Sequence, residues 1–179
     1  ILQSYTIGSS SLFADVSGAP TAKFIAVVRD FVMTANTSTS NQQVVWSALG
    51  DSTSWASSAT TQADSQTIYG LGAITGLVGG EFATILCEEG IVRGTYAGSP
   101  IIFQMDSVET ARGCSIPGTV AAIGSNTIYW SGDGFYLFDG ATSTPIGTEK
   151  VDRFFADDLN IADIERCSAA IDPINKLYV

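Results

Sequence analysis

Two pairs of adjacent carboxylates are the residues of this 179-residue sequence whose types and spacing could do chemistry: Glu88-Glu89 and Asp157-Asp158. A glycosidase needs two carboxylates about 5–10 Å apart on either side of a sugar. Glu88 and Glu89 end a predicted strand, where adjacent side chains point to opposite faces. Asp157 and Asp158 lie near the end of a predicted helix, where acids are solvated and slightly unfavourable. We therefore predict that both pairs are surface acids with no catalytic role.

Aromatic side chains that could stack on a sugar ring are the second candidate group. Most of them fall within alternating strand patterns, where aromatic residues usually pack in a core. We therefore predict that they hold neighbouring sheets together. These residues are Trp46, Trp55, Trp130, Phe135, Tyr136 and Phe138.

The sequence has no histidine and three widely separated cysteines, Cys87, Cys114 and Cys167. The missing histidines remove the commonest general base and most zinc sites, and the cysteine spacing fits no metal motif. We interpret the cysteines as buried, reduced thiols of a protein that folds in a reducing cytoplasm. No catalytic, cofactor-binding or metal-binding residue is predicted, and the protein is not expected to be an enzyme.

Two arginines and a glycine pair have ordinary structural interpretations. Arg112 and Arg153 could form ion pairs between structural units or subunits, but surface ion pairs usually contribute less than about 1 kcal/mol. Gly79-Gly80 is not followed by the Lys-Ser/Thr of a phosphate-binding loop, so it is predicted to be a turn.

The charge balance argues against nucleic-acid and membrane binding. The chain carries 18 acids and 8 bases, a net charge of −10. Phosphate binding needs clustered lysines and arginines, and an acidic surface repels duplex DNA and anionic membranes. No apolar run approaches the roughly 20 residues of a membrane helix. Since 45% of residues are hydrophobic, the chain can still bury a full core.

Residues 119–140 predict the clearest local structure, a three-stranded antiparallel meander. Its three apolar runs, 119–123, 127–131 and 135–138, are separated by Gly124-Ser125-Asn126 and Asp133-Gly134. Asp-Gly between two such runs is a strong hairpin signal, because both residues tolerate the left-handed backbone conformation.

The remaining segments predict further short strands. Residues 24–34 form a hairpin that turns at Arg29-Asp30, and 44–47 is the next strand. Residues 56–70 lack periodicity and are predicted to be a loop or long connection. Weak strands are expected around 5–7 and 12–14. Four more strands are predicted at 73–78, 81–89, 91–96 and 101–109.

The only helical period lies near the carboxyl end of the chain. Val151, Phe154, Phe155 and Leu159 recur at helical spacing, with Thr148 as the expected N-cap. Residues 167–179 then predict a strand, a turn and another strand. The chain has no initiator methionine and ends within an apparent strand, so we expect it to be a piece of a longer polypeptide.

Hairpins of one type recur along the chain with a spacing of about 45–50 residues. This spacing is typical of β-propeller blades. We predict an all-β fold, a partial β-propeller of four-stranded antiparallel blades with one short helix. The blade units are placed at about 21–72, 73–112, 113–160 and, partially, 161–179 within one propeller domain. A β-sandwich, which also has many short strands, is the alternative.

Several motifs in order resemble the propeller-bearing tail nozzle proteins of short-tailed bacteriophages, the packaged-DNA stabilisation or tail tubular family. They are VVWSALGDSTSW (44–55), ITGLVGGEF (74–82), RGCSIPGTVAAIG (112–124), TIYWSGDGFYLFDG (127–140) and PIGTEKVDRFFADDLN (145–160). The resemblance covers most of residues 24–179.

The resemblance implies a structural component of the virion tail, assembled in the cytoplasm of a bacterial host. Family members form a homo-oligomeric ring, usually a hexamer, below the portal and adaptor proteins. The ring continues the DNA channel, helps retain the packaged genome and lets it pass on ejection. A net acidic chain fits this role, because a channel for sliding duplex DNA should not bind phosphates tightly.

Two other functions are kept open. One is a carbohydrate-binding or glycan-processing propeller, since 131–135 resembles the Asp-box of sialidase-like propellers. Its spacing is short and its aromatic residue is displaced, so a hairpin turn is predicted there instead. The other is a protein-interaction propeller, which would be monomeric and bind a partner peptide.

Overall fold

The computed structural model describes all residues from 1 to 179, of which 42% lie in strands and 9% in helices. There is one α-helix, α1, at Asp152–Asp158, and two short 3-10 helices at Pro117–Thr119 and Ile161–Arg166. The strands are β1 Gln3–Ser4, β2 Ala14–Asp15, β3 Ala22–Val28, β4 Phe31–Thr37, β5 Gln43–Trp46, β6 Asp64–Thr67, β7 Ile74–Val78, β8 Ala83–Cys87, β9 Ile91–Gly98, β10 Ile102–Glu109, β11 Ala121–Ile123, β12 Asn126–Ser131, β13 Gly134–Phe138, β14 Ser143–Pro145, β15 Ile171–Asp172 and β16 Leu177–Tyr178.

These strands form three four-stranded antiparallel sheets, each made of consecutive strands. The first sheet has the order β3-β4-β5-β6, the second β7-β8-β9-β10 and the third β11-β12-β13-β14. The hairpins β1-β2 and β15-β16 form two-stranded sheets at either end. The predicted all-β fold of four-stranded antiparallel sheets with one short helix is confirmed, although the sheets do not form a closed propeller.

First strands take part in two of the contacts between sheets. Strand β7 lies against β3 and β4 of the first sheet, and β11 lies against β15. At the first of these contacts the Gly80 amide donates to the Val27 carbonyl at 3.0 Å, and the Arg29 amide donates to the Gly80 carbonyl at 2.9 Å. A Cβ on Gly79 would lie 2.1 Å from the Val27 carbonyl oxygen, so only glycine permits this approach. Gly79-Gly80 lies in the turn between β7 and β8, as predicted. Its contact with β3 also joins two sheets.

The largest core lies between the first and second sheets. One face of β4 and β5 presents Phe31, Met33 and Trp46 to this layer. Phe103 from β10 packs edge-on against Phe31 and Trp46, with ring centroids 5.1 Å apart in each case. The Trp46 indole N–H donates to the Gln62 carbonyl at 2.9 Å, so its one polar group is satisfied inside the core.

A second core joins the second and third sheets. Leu86 and Ile91 come from the second sheet, and Tyr129, Tyr136 and Phe138 come from the third. The second sheet is consequently buried on both faces. Each outer sheet shares a core with it on one face.

One predicted connection is wrong because it contains an outer strand. Residues 56–70 were expected to be a loop, yet Asp64–Thr67 forms β6, which pairs with β5. The third sheet likewise gains β14, Ser143–Pro145, beyond the predicted meander. The side chains of both strands are mostly exposed, so they lack the apolar alternation of a core strand. Backbone hydrogen bonds to one neighbour are enough to form them.

Three local predictions also need correction. The first two strands occur at Gln3–Ser4 and Ala14–Asp15, and not around 5–7 and 12–14. The helix begins at Asp152, and no side chain caps it, so Thr148 is not the N-cap. The hairpin at Arg29-Asp30, the meander at 119–140 and the final strand-turn-strand are confirmed.

The aromatic layer between the first two sheets should dominate stability. Replacing Phe103 by Ala removes a ring that is 1% exposed and leaves a cavity beside Phe31 and Trp46. We expect the free energy of unfolding in urea to fall by about 3–5 kcal/mol with an unchanged m-value.

Tyr69→Ala is the matched control, because that ring is 80% exposed. It should change the free energy of unfolding by less than about 0.5 kcal/mol. Equal losses in the two variants would contradict the arrangement of the core.

Candidate functional site

The paired acids lie on the surface, as predicted. Glu88 and Glu89 follow β8 in the turn to β9, which corrects the prediction that they end a strand. Glu88 Oε2 accepts a hydrogen bond from the Ala73 amide at 2.8 Å, so this carboxylate holds a neighbouring backbone segment. Asp157 and Asp158 are exposed at the end of α1. Each pair therefore has a structural setting at the surface.

The aromatic candidates are buried, which confirms their predicted role in packing. Trp46, Trp55 and Trp130 are 1%, 7% and 4% exposed. The Tyr136 hydroxyl donates to Asp133 Oδ2 at 3.0 Å across the turn between β12 and β13. The segment 131–135 is therefore a hairpin, as predicted, and these rings offer no open platform for a sugar.

The two arginines form contacts other than ion pairs between sheets. The Arg112 guanidinium lies 4.9 Å from the centre of the Tyr136 ring, and Arg153 pairs with Asp157 within the exposed helix at 3.5 Å. The ion pair that joins two sheets is Arg29 with Glu81, at 2.6 Å. Sequence reasoning missed it, because residues 52 positions apart carry no local signal of their contact.

All three cysteines are free thiols. Cys87 and Cys114 are buried, as predicted, whereas the prediction of burial is wrong for Cys167. Burial raises the pKa of Cys87 to about 12 and the pKa of Cys114 to about 11. Cys167 is half-buried beside α1. No cluster of three or more potential metal ligands occurs, and none of the helices has the length and apolar character needed to cross a membrane.

An apolar strip on β3 is the first surface that could bind another molecule. Ile25 and Val27 are 54% and 63% exposed on the side of the first sheet that faces away from the second. Their cross-strand neighbours on β4 are Thr34 and Val32. We call Ile25 and Val27 the leading face. The strip is covered only in part, where Ile1 and other residues near the amino end border it.

A groove beside α1 is the second such surface. It has a volume of about 370 Å³ and lies between the third sheet, α1 and the β15-β16 hairpin. Phe155 closes its inner side by packing on Trp130 and Phe135, at ring-centroid distances of 4.6 and 4.9 Å. Phe154 at its rim is 74% exposed. We call this the helix groove, and its lining residues are Thr119, Phe135, Ile146, Gly147, Val151, Phe154, Phe155, Cys167, Ser168, Ala169, Tyr178 and Val179.

Two hydrogen bonds fix the walls of the helix groove. Asp152 Oδ1 in the first turn of α1 accepts from the Phe135 amide at 3.0 Å. The Tyr178 hydroxyl of β16 donates to the Thr119 carbonyl at 2.6 Å. The helix α1 is thus attached to the third sheet, and the terminal hairpin to the 3-10 helix that precedes this sheet. Together, the leading face and the helix groove leave apolar area exposed at both ends of the array of sheets. Exposed apolar area favours association with another molecule.

No protein-family model matches the chain, and no curated protein matches it in sequence.

The Asp152 carboxylate should be needed to hold α1 on the third sheet. Replacing Asp152 by Ala leaves the Phe135 amide without its acceptor, and we expect a loss of about 1–3 kcal/mol in the free energy of unfolding. Hydrogen exchange of the Phe135 amide should become faster in the same variant. Asp152→Asn, which keeps an acceptor oxygen, should recover part of both effects.

Asp158→Ala is the control, because this exposed acid ends the same helix. Its removal should be neutral or slightly stabilising, since it takes a negative charge from the negative end of the helix. If Asp158→Ala lowered the free energy of unfolding as much as Asp152→Ala, the effect would come from lost negative charge. It would then not come from the hydrogen bond to the Phe135 amide.

Buried thiols should make the fold sensitive to alkali. Because burial raises the pKa of Cys87 and Cys114, these thiols stay protonated in the native protein while the unfolded chain ionises near pH 9. The free energy of unfolding should therefore fall as pH rises from about 9 to about 11. Tyr129 and Tyr178, with pKa values raised to about 12 by burial, act in the same direction.

Cys114→Ala should flatten this fall. In native protein a thiol reagent should label Cys167 first, and Cys87 and Cys114 only as the protein opens. Equal rates at all three cysteines would contradict the burial of the two.

Proposed function

We propose that this chain is a structural component of a bacteriophage tail, which acts in a homo-oligomeric ring of the nozzle type. One observation carries the proposal most strongly: an array of stacked four-stranded sheets leaves apolar side chains exposed on its leading face and in its helix groove. Water-exposed apolar surface of this kind favours a partner, and a second copy of the chain would supply one. The order of motifs along the sequence favours the phage tail over other assemblies.

The distribution of charge fits a DNA passage formed between subunits. The first strands of the sheets, β3, β7, β11 and β15, contain only Lys23 and Asp172 as charged residues. The outer strands carry acids instead, Asp64 on β6 and Asp106 and Glu109 on β10. An acidic channel would therefore be lined by outer strands and turns, and not by the axis around which the sheets are arranged.

In this role the chain performs no reaction. It retains packaged DNA and allows its passage through the shape and charge of the ring, next to portal, adaptor and other tail proteins. Low affinity for phosphates suits passage, because each phosphate neutralised by a cation would add affinity that depends on salt.

Negative-stain electron microscopy with a mass measurement tests the proposal. We expect a hexameric ring with a central hole wide enough for duplex DNA, and interfaces of about 1,200–2,000 Å² or more. Val27→Asp should dissociate the ring, because it would place a carboxylate in an apolar contact.

Ile101→Asp is the matched control, because Ile101 is 60% exposed in the turn between β9 and β10. It should leave the ring intact. A closed, monomeric propeller with a small axial pocket would overturn the proposal. Glycan screening would then be the next experiment.

A further inference from the structure

A cleft lined mainly by glycines and polar residues lies between the second and third sheets, apart from the leading face and the helix groove. Its volume is about 450 Å³, within the usual range of small-ligand sites. Turns from both sheets border it: the β7-β8 turn on one side, and the β11-β12 and β13-β14 turns on the other. These turns contribute Gly79, Gly80, Gly124 and Gly140, which have no side chains to fill the opening.

Arg93 on β9 lines this cleft and has few partners for its charge. Its Nη1 donates to the Gly140 carbonyl at a long 3.4 Å, and the Phe82 ring centre lies 5.3 Å from its Cζ. Its Nε is buried and has no acceptor within the protein. No carboxylate oxygen lies within 4 Å of its guanidinium nitrogens, although Asp106 is its cross-strand neighbour.

The other acids beside the cleft are committed elsewhere. Glu81 pairs with Arg29 at 2.6 Å. Asp139 Oδ1 accepts from the Ala141 and Thr142 amides at 2.9 and 2.8 Å, and these bonds hold the pKa of that carboxyl below its usual range. A partly buried guanidinium without a counter-charge is costly, since its Nε–H has lost water without gaining an acceptor and its Nη1 has one weak acceptor.

We propose that this cleft binds a carboxylate group through the guanidinium of Arg93. A planar carboxylate matches the paired donors along an edge of the guanidinium, and such two-point contacts are among the strongest charge-assisted hydrogen bonds. A single negative charge suits the cleft better than the two of a phosphate, because Glu81 and Asp139 also line it. The carboxylate comes from a small organic acid or from an Asp or Glu side chain of a second copy of this chain.

Nuclear magnetic resonance of the Arg93 side-chain Nε–Hε group in the whole chain tests the proposal. The protein is titrated with sodium acetate, sodium propionate and sodium phosphate at constant ionic strength. We expect a saturable shift of the Arg93 signal with the carboxylates and a weaker response to phosphate. In Arg93→Gln, binding is measured from the shifts of the Gly140 and Ala141 backbone amides. This variant should bind the carboxylates about tenfold or more weakly.

Two variants keep the result interpretable. Arg93→Lys preserves the charge but loses the fork of donors, and it should bind weakly while folding normally. Arg153→Gln changes an arginine that is 94% exposed, and it should leave the Arg93 signal and its titration unchanged.

The same signal distinguishes the two sources of the carboxylate. A shift that grows with protein concentration and no added acid would identify a second copy as the donor. A shift that needs added acetate or propionate, at any protein concentration, would identify a small acid. The proposal would be overturned if the Gly140 and Ala141 amides shifted linearly, without saturation, and equally in the wild type and in Arg93→Gln. Tighter binding of phosphate than of carboxylates would also overturn it.

Discussion

Burial of apolar side chains between facing sheets is the interaction on which this structure depends. The apolar face of a four-stranded antiparallel sheet stabilises the fold only when it is covered, and here each sheet is covered by its neighbour along the chain. The second sheet has the central position, because it shares one core with the first sheet and another with the third. Gly79 makes the first contact possible by letting the backbone of β7 come close to that of β3.

Much of this fold could be predicted from the sequence, wherever one face of a strand is buried. The runs in β12 and β13 are nearly continuous β-branched and aromatic residues, and Asp133-Gly134 between them marks the turn. Strands β6 and β14 could not be predicted in the same way. Their side chains point mostly into water, so their position comes from backbone pairing with β5 and β13, and the residue types carry almost no trace of it.

The candidate surfaces were less predictable than the strands. The helical spacing of Val151, Phe154, Phe155 and Leu159 correctly indicated α1. Its attachment depends on Asp152, whose carboxylate accepts from the Phe135 amide of a distant hairpin. The cleft around Arg93 brings together turns from two sheets that are about 45 residues apart in sequence. Residue types and local spacing do not predict that these turns lie close together, because their proximity depends on how one sheet stacks on another.

The consecutive strand order within each sheet has a consequence for biosynthesis. Each sheet uses only neighbouring segments, so its contacts are local in sequence and it can close soon after its last strand leaves the ribosome. The apolar face of the first sheet would then stay exposed to water until about 40 more residues, which form the second sheet, leave the ribosome. That interval is when the nascent chain is most open to chaperones, and most open to mispairing with another nascent copy of itself.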